Sequence, residues 1–292
     1  MMEFHRVDPA RELEAVRGFL SASDPNDYLL EDLADWIRHG RIWAGLEGGR
    51  WLAFGRLHDL GEHEGWVSGF RVDAAHRGHG LGGQLLGQIV SDALSIGLRS
   101  LRAAIEVENV ASSRLFARSG FRPVLELTLR CGRARAGSGP ALHRVPPGER
   151  WNGPVGWLPE ATGYVDLLPG EDGGRFGRWR PSLAGRWSDE GKLYVAAGLA
   201  VAVQVDWWKS PRTLWANPLE GDLEALVGAV SALTAVLGHE EWQAFLPSAE
   251  GARREYDRLG LSPHPAWGDR VRVFERNEPL VDASGTSESS TR

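Results

Sequence analysis

A glycine-rich turn between a strand-like segment and a periodic helix constrains the fold more than any other feature. The turn follows the apolar segment 66–72 and consists of Arg77, Gly78, His79, Gly80, Leu81 and Gly82. Because glycine has no side chain, the backbone N–H groups of such a turn can converge on one point. The following helix adds its unpaired N–H groups and the positive end of its dipole. We therefore predict a socket for a phosphate or pyrophosphate, with the guanidinium of Arg77 beside it.

The same turn also fits G-x-G-x-x-G, the dinucleotide-binding spacing, when the count starts at Gly78. That motif places its first glycine at the end of a strand, whereas the segment 73–77 separates Val72 from Gly78. It also expects an acidic residue about 20 residues further on. Ala103 stands near that distance, and Glu106 is the nearest acid. A nucleotide-binding oxidoreductase domain is therefore the less favoured alternative.

Two ordered motifs resemble the signatures of the Gcn5-related N-acetyltransferases. The first, [Q/R]-x-x-G-x-[G/A], is filled by Arg77, Gly80 and Gly82. The second, N-x-x-[A/S]-x-x-x-[Y/F]-x-x-x-G-F, is filled by Asn109, Ser112, Phe116, Gly120 and Phe121. Two motifs in this order are more specific than either one alone, and the resemblance covers residues 40–130.

Apolar periodicity predicts helices that alternate with strands. The predicted helices are 11–20, 29–38, 82–97 and 111–119. The predicted strands are 41–46, 51–57, 66–72, 101–107 and 124–131. This order agrees with the fold that the resemblance implies, the acyl-CoA N-acyltransferase fold of the α/β (α+β) class, in which helices flank a mixed central sheet.

The second half of the chain repeats the first weakly. Tyr256 and Gly260 follow Phe116 and Gly120 at the same offset, since both differences are 140. We therefore expect the fold to be duplicated in tandem. The expected organisation is an N-terminal catalytic domain at 1–135, a linker at 136–156, a degenerate C-terminal copy at 157–280 and a disordered tail at 281–292.

The second copy has no glycine socket. Its corresponding segment carries Pro218, which has no N–H to donate, and the acids Glu220 and Asp222, which repel a pyrophosphate. An acid just before a helix is ordinary capping chemistry. We expect this copy not to bind acyl-CoA.

The resemblance implies acetyl-CoA as co-substrate and no metal. The backbone of 77–82 would hold the pyrophosphate, and the strand positions Phe70, Arg71 and Val72 would pair with the pantetheine arm and polarise the acetyl carbonyl. Asn109 would contact the same arm, unless it is simply a helix N-cap. Ser112 and Ser113 could contact the arm as well or simply be residues of the first helical turn, and Phe116 would pack beside the sulfur.

The catalytic groups are less defined. Phe116 stands where many relatives carry a tyrosine acid, so we predict a mechanism without that acid, in which water protonates the thiolate. Glu106 is the candidate general base; the alternative is a solvated or salt-bridged glutamate. His58, His63 and Glu64 could instead act through water.

The acceptor site is set in this family by the segment between the first two helices. Asp27 and Tyr28 lie there and are candidate substrate residues, although Asp is also a common turn former. The acceptor would be a primary amine of a small molecule or peptide. Cys131 lies in a strand away from the predicted thioester, so we expect direct attack in a ternary complex. A non-catalytic acyl-CoA-binding or regulatory module is the alternative.

Composition narrows the partners further. The 292 residues carry a net charge of −6, which argues against sequence-independent binding of nucleic acid. No apolar run reaches the roughly 18 residues that a membrane span requires, and the first residues lack a hydrophobic signal core. The single cysteine excludes an internal disulfide. We expect a cytoplasmic protein without membrane or nucleic-acid partners, and nothing in the sequence indicates its oligomeric state.

Overall fold

A computed structural model describes residues 2–31, 33–151, 153, 164–166, 175–205, 212–249, 251–265 and 270–278. The chain divides into two compact units. Unit 1 contains Met1–Ala103, Val110–Arg122 and Phe274–Arg292, and unit 2 contains Ala104–Asn109 and Pro123–Val273. The predicted tail at 281–292 lies outside the described residues.

Unit 1 is built from the first strands and helices of the chain. These are β1 (Met2–Arg6), α1 (Pro9–Ser23), a 3₁₀ turn (Tyr28–Leu30), α2 (Leu33–Arg38), β2 (Arg41–Glu47), β3 (Arg50–Gly61), β4 (Glu64–Val72), a second 3₁₀ turn (Ala74–His76), α3 (Leu81–Ser95), the start of β5 (Ser100–Glu106) and α4 (Val110–Arg118). The strand order is β1-β2-β3-β4-β5. Successive strands up to β4 are antiparallel, whereas β4 and β5 are parallel. The sequence pattern had not predicted β1.

Local sequence explains the two long helices of unit 1. The Asp8 side chain caps α1 by accepting from the Ala10 N–H, and a proline follows it at the first helical position. In α3 the buried residues form one apolar stripe, which consists of Leu81, Leu85, Leu86, Ile89, Val90 and Ala93. The sequence pattern predicted this stripe without Leu81 and with Leu94, which is half-buried. The helix stops where Gly97 adopts φ 87° and the Leu98 N–H bonds the Ala93 carbonyl.

Unit 2 contains the remaining elements. These are β6 (Arg122–Arg133), β7 (His143–Arg144), β8 (Tyr164–Asp166), β9 (Phe176–Arg178), α5 (Pro181–Asp189), β10 (Leu193–Ala196), β11 (Leu199–Val205), β12 (Thr213–Glu220), α6 (Leu223–Val236), β13 (Glu241–Pro247), α7 (Ala252–Arg258), β14 (Ser262–Pro263) and the start of β15 (Val271–Asn277). The order within its sheet is β6-β13-β12-β11-β10-β7, and β8 pairs separately with β9.

The two units repeat one local topology. In each, three antiparallel strands lead through a helix to a strand that runs parallel to the third: β2-β3-β4-α3-β5 in unit 1 and β10-β11-β12-α6-β13 in unit 2. The short helices that follow, α4 and α7, also end in the same way. The Phe121 N–H bonds the Phe116 carbonyl at 3.1 Å, and the Leu261 N–H bonds the Tyr256 carbonyl at 2.9 Å. The mixed α/β fold is as predicted, and the offset of 140 marks equivalent turns.

The compact units do not coincide with the two predicted sequence copies. Residues from Pro123 onward belong to unit 2, whereas the chain from Phe274 onward belongs to unit 1. Part of the predicted linker is also structured, since His143–Arg144 pairs with β10. The chain from Pro123 onward belongs to unit 2 because residues 127–133 of β6 pair with the whole of β13. The division into sequence copies stays a prediction, and the compact units are discontinuous in sequence.

Candidate active site

The glycine turn leaves the N-terminus of α3 uncapped. Gly80 is the N-cap residue in the left-handed conformation, φ 82°, and within the described residues no side-chain hydrogen bond caps the helix. Gly78 has the same φ, and a Cβ at either glycine would meet nothing within 4 Å. The first intrahelical bond that closes runs from the Gln84 N–H to the Gly80 carbonyl. The N–H groups before it have no carbonyl partner within the helix and are available to an anion.

The flanks of this socket are fixed by packing and charge. A Cβ at Gly82 would lie 3.1 Å from the Leu115 side chain, so glycine there lets α3 approach α4 closely. Exposed Arg77 donates from Nε to the Val72 carbonyl at 3.1 Å, which holds its guanidinium near the end of β4. His79 is exposed in the turn, whereas Leu81 is buried. The predicted socket residues therefore lie together.

The carboxylate of Asp73 holds together the segment that precedes the socket. Asp73 Oδ2 lies 2.6 Å from His76 Nδ1 and 2.9 Å from an Arg50 guanidinium nitrogen. Burial raises the pKa of Asp73, but the hydrogen bond with His76 and the charge of Arg50 outweigh it, so the net shift is downward. His76 therefore has a structural partner here. The contact with Asp73 favours a role for His76 in shaping the turn.

The strand before the socket is bulged. The β3–β4 register shifts between Phe54 and Arg56, opposite Gly69, which has φ 62°. A Cβ at Gly69 would lie 2.3 Å from the Trp36 ring. Both the positive φ and the close ring require glycine at this position. The bulge re-aims Phe70 and the residues after it.

Beyond the bulge, one edge of β4 carries N–H donors. The ladder with β5 pairs Glu64–Trp66 with Ser100–Arg102, and β4 continues past it to Val72. The Asp73 N–H donates to the Leu52 carbonyl on β3 at 2.8 Å. Because N–H groups alternate along a strand, the Val72 N–H points to the opposite edge. That edge can pair with an extended ligand in strand fashion.

Phe116 lies in an aromatic cluster with the bulged strand. It is 3% exposed, and its ring centroid is 6.0 Å from that of Phe70 and 4.9 Å from that of Phe121. Both contacts are edge-to-face, the arrangement that aromatic quadrupoles favour. Phe70 and Phe116 are thus in contact. The pair forms an apolar wall beside β4.

The structure brings Asp27 and Tyr28 onto Arg71. Arg71 Nε lies 2.7 Å from Asp27 Oδ2 and a terminal nitrogen lies 3.0 Å from Oδ1, a bidentate pair. The Asp27 side chain is buried, while Tyr28 is exposed and its ring lies 5.4 Å below the guanidinium carbon. Burial lowers the pKa of Arg71, but the hydrogen bond that Arg71 donates to Asp27 reverses the shift, so the net direction is upward. Asp27 thus carries no free charge for a substrate cation.

The remaining predicted residues are placed as follows. Glu106 is exposed at the end of β5, and its carbonyl accepts from the Asn109 N–H at 2.9 Å. Both residues belong to unit 2, so their roles at this site stay predictions. Ser112 is half-buried in the first turn of α4. Cys131 lies in β6 as expected, and burial raises the pKa of its thiol to about 11.

Two alternatives for the base have structural partners. Glu64 is buried and lies 3.1 Å from the guanidinium of Arg102, which is fully buried and also binds Glu275. The two carboxylates hold one cation, so Glu64 is a structural ion-pair residue. His63 Nδ1 lies 2.9 Å from the Gly97 carbonyl.

Sequence reasoning missed the Asp27–Arg71 pair and the Glu64–Arg102–Glu275 cluster. The partners in these groups are 44, 38 and 173 positions apart. No local pattern links residues at such separations. The weak signal was a charged residue within otherwise apolar strands, since an interior charge requires a partner.

The equivalent helix of unit 2 is closed. The Asp222 carboxylate accepts from the N–H groups of Glu224 and Ala225 at 3.0 and 3.1 Å, so it occupies the place an anion would take. Tyr256 stands at the position of Phe116, and its hydroxyl donates to the Pro247 carbonyl at 2.7 Å. Burial raises the pKa of Tyr256 to about 12. The predicted absence of a glycine socket in this copy agrees with the geometry.

The fold and the socket define an α/β architecture with an open helix start, and comparison with known proteins gives a family match for one segment of the chain. Residues 10–121 match the model of the acetyltransferase (GNAT) family. This segment is a GNAT acetyltransferase domain, as its two motifs indicated.

Two solved structures resemble nearly the whole chain. A GCN5-related N-acetyltransferase from Sphaerobacter thermophilus is 18% identical, with 98% of each chain covered and a TM-score of 0.57. A candidate acetyltransferase from Thermoplasma acidophilum is 17% identical, with 94% of this chain and 100% of that chain covered and a TM-score of 0.56. At this identity the likeness shows the fold alone. A search of curated proteins finds no match.

The helices of the described ranges are all too short or too polar to cross a membrane. In the same ranges, no group of three or more His, Cys, Asp or Glu side chains is arranged to hold a metal ion.

Proposed function

We propose that this chain transfers an acetyl group from acetyl-CoA to a primary amine of a small molecule or peptide. The observation that carries this proposal is the uncapped start of α3 at Gly80, which follows the bulged β4 after a 3₁₀ turn, together with the Val72 N–H on the edge of β4. The two features suit the two ends of one ligand, the pyrophosphate and the acylated pantetheine arm. The GNAT domain at 10–121 supports this assignment.

The backbone of β4 would supply the main electrostatic assistance. Attack on a thioester places negative charge on the carbonyl oxygen, and an N–H donor such as that of Val72 stabilises this charge where it develops. Arg71 steadies this part of the strand, because it donates to the Phe70 carbonyl at 3.1 Å and is itself held by Asp27. The apolar wall of Phe70 and Phe116 would exclude water from the thioester.

The amine attacks directly, without a covalent enzyme intermediate. Cys131 is the only cysteine, and its raised pKa keeps the thiol protonated near neutral pH. The amine must first lose a proton, since an alkyl ammonium has a pKa near ~10.4. Exposed Glu106 is the proposed base, through water. A cytoplasmic location is part of this proposal.

Calorimetry with acetyl-CoA tests the proposal first. We expect one site per chain, because α3 is open and α6 is capped by Asp222. A screen of amines for CoA release then follows, with thiol formation as the readout. Two sites per chain would contradict the closed second helix, and NAD binding in place of acetyl-CoA would overturn the proposal.

The rival function is an acyl-CoA-binding module without catalysis. Phe116 favours it, since a phenylalanine cannot protonate a leaving group. This rival predicts tight binding of acetyl-CoA with no release of CoA to any amine in the screen. Amine-dependent release above the rate of spontaneous thioester hydrolysis would exclude it.

A further inference from the structure

Two arginine side chains lie on the open edge of β4, the edge that faces away from β3. The Asp73 N–H points to β3, where it donates to the Leu52 carbonyl. In a trans peptide the carbonyl of one residue points away from the N–H of the next, so the Val72 carbonyl points to the open edge. Arg77 Nε donates to this carbonyl at 3.1 Å. Arg77 therefore lies at the end of the open edge that is nearest to the socket.

The same arrangement occurs two residues earlier. Arg71 pairs with Phe54 of β3, and the direction of the backbone groups repeats every two residues along a strand. The Phe70 carbonyl therefore also points to the open edge. Arg71 Nη1 donates to this carbonyl at 3.1 Å, which places its guanidinium on that edge. The Val72 N–H thus lies between two guanidinium groups.

The guanidinium of Arg71 is anchored on one side and accessible on the other. A guanidinium has five N–H groups. Asp27 takes two of them, the Phe70 carbonyl takes a third, and the Tyr28 hydroxyl is a further hydrogen-bond partner. These contacts among the described residues leave one N–H. The Arg71 side chain is 26% exposed and that of Asp27 only 3%, so a ligand on this edge meets the cation rather than the carboxylate.

This placement suits the charge that develops during acyl transfer. A thioester whose carbonyl oxygen accepts from the Val72 N–H has that oxygen beside the Arg71 guanidinium. Donors that are already aimed at the oxygen stabilise its negative charge without reorganisation. A charged donor forms a shorter and stronger hydrogen bond than a neutral one. The bidentate pair with Asp27 holds the guanidinium in this position before the ligand arrives.

We propose that the Arg71 side chain donates a second hydrogen bond to the thioester carbonyl oxygen, beside the bond from the Val72 N–H. This inference rests on the proposed function. As the amine nitrogen bonds to the acetyl carbon, the carbonyl oxygen gains an electron pair. When the carbonyl forms again, the carbon–sulfur bond breaks and its electron pair stays on sulfur. Arg71 keeps its protons, because a guanidinium is too weak an acid to give one up. The proton lost by the amine reaches sulfur through water, which yields the amide and the CoA thiol.

The test uses the full chain with acetyl-CoA and needs no acceptor amine. Acetyl-CoA labelled with ¹³C at the acetyl carbonyl is compared with unlabelled acetyl-CoA by infrared difference spectroscopy, free and bound. Hydrogen bonds to the oxygen weaken the carbonyl bond and lower its stretching frequency. We expect a lower frequency in the wild-type complex than in solution. Arg71→Ala should lose about half of this shift, because one of two donors is removed.

Two sets of variants make the result specific. Arg41→Ala is the matched control, since Arg41 forms the same bidentate pair with Asp92 but lies on β2, and we expect an unchanged frequency. Arg71→Lys keeps a charged donor, whereas Arg71→Gln keeps only a neutral one. The Arg71→Lys frequency should therefore lie closer to the wild-type value. A side chain that only braced the strand would give equal frequencies in these two variants, so their comparison also serves if Arg71→Ala does not fold.

Each outcome has a distinct meaning. A wild-type frequency in a folded Arg71→Ala that binds acetyl-CoA, or equal frequencies in Arg71→Lys and Arg71→Gln, would overturn the role of Arg71 and leave the proposed function intact. An equal loss in Arg41→Ala would show a general effect of breaking an ion pair and overturn it as well. Failure of the wild-type chain to bind acetyl-CoA would remove the proposed function first, and the inference with it.

Discussion

The central helices of the two units have the same place in the fold and opposite chemistry at their starts. In α3 the N-cap is Gly80 without a side chain, so the first N–H groups are left for a ligand. In α6 the N-cap is Asp222, whose carboxylate takes two of those groups internally. Pro218 and Glu220 sit just before it in β12. The same place in the fold can therefore be open to an anion or closed to it, depending on the capping residue and on the residues just before the helix.

The largest expected effect comes from giving α3 the cap of α6. Gly80→Asp should weaken acetyl-CoA binding by roughly a hundredfold, equivalent to about 2.7 kcal/mol, because its carboxylate would take the N–H groups and repel the pyrophosphate. Calorimetry measures this loss. Gly238→Asp is the matched control, since Gly238 also has a positive φ, 79°, and open space around it. Wild-type affinity in Gly80→Asp would refute the socket.

The next comparison is between Phe116 and Tyr256, the aromatic residues at equivalent positions of the two units. Tyr256→Phe removes the hydroxyl that donates to the Pro247 carbonyl and should lower the free energy of unfolding by about 1.5 kcal/mol, with acetyl transfer unchanged. Denaturant unfolding measures the first effect.

Phe116→Tyr should change kcat by less than about tenfold, because a thiolate leaves without a strong acid. A hundredfold rise in kcat would show that the enzyme needs a tyrosine acid at this position.

Opening the second helix should have a smaller effect. Asp222→Ala removes the cap of α6 and should lower the free energy of unfolding by about 1 kcal/mol. The stoichiometry of acetyl-CoA should remain one per chain, because Pro218 and Glu220 stay in place. Asp222→Asn, which keeps a capping oxygen, should be nearly neutral. A second acetyl-CoA site in Asp222→Ala, detected by calorimetry, would mean that the cap alone keeps unit 2 from binding acetyl-CoA.

The smallest expected effect concerns Cys131. Because burial raises its pKa to about 11, alkylation should be slow at mildly alkaline pH and should accelerate as the pH approaches that value. A raised pKa also means that the buried thiol stabilises the fold below its ordinary pKa of 9.0 and that this contribution disappears as the pH rises through about 11. Cys131→Ala should leave acetyl transfer unchanged. Loss of transfer would contradict direct attack.

Local sequence accounts for the parts of the site whose physics is local. The glycines at 78 and 80 were identifiable because only glycine readily adopts the positive φ that each one has. The apolar stripe of α3 and the helix ending at Gly120 follow from periodicity and from a left-handed residue after a helix. The closed start of α6 was also predictable, since Asp222 is a strong capping residue.

The tertiary structure decided what depends on distant residues. Asp27 was a candidate for binding a substrate cation, but Arg71 reaches it across 44 positions and neutralises it. Glu64 was a candidate base until Arg102 and Glu275 enclosed it. The division of the chain into units was equally non-local, because Phe274 and its neighbours on β15 belong to unit 1 although the sequence places them in the second half.

The sequence by itself therefore determined the backbone conformations that individual residues impose: the positive-φ turns, the caps and the amphipathic stripes. Only the tertiary structure decided which charges are paired and which strand completes which unit. The physical reason is that the conformational preferences of φ and ψ act within a few residues. Ion pairing, burial and strand pairing depend on residues that the chain brings together only after it has folded.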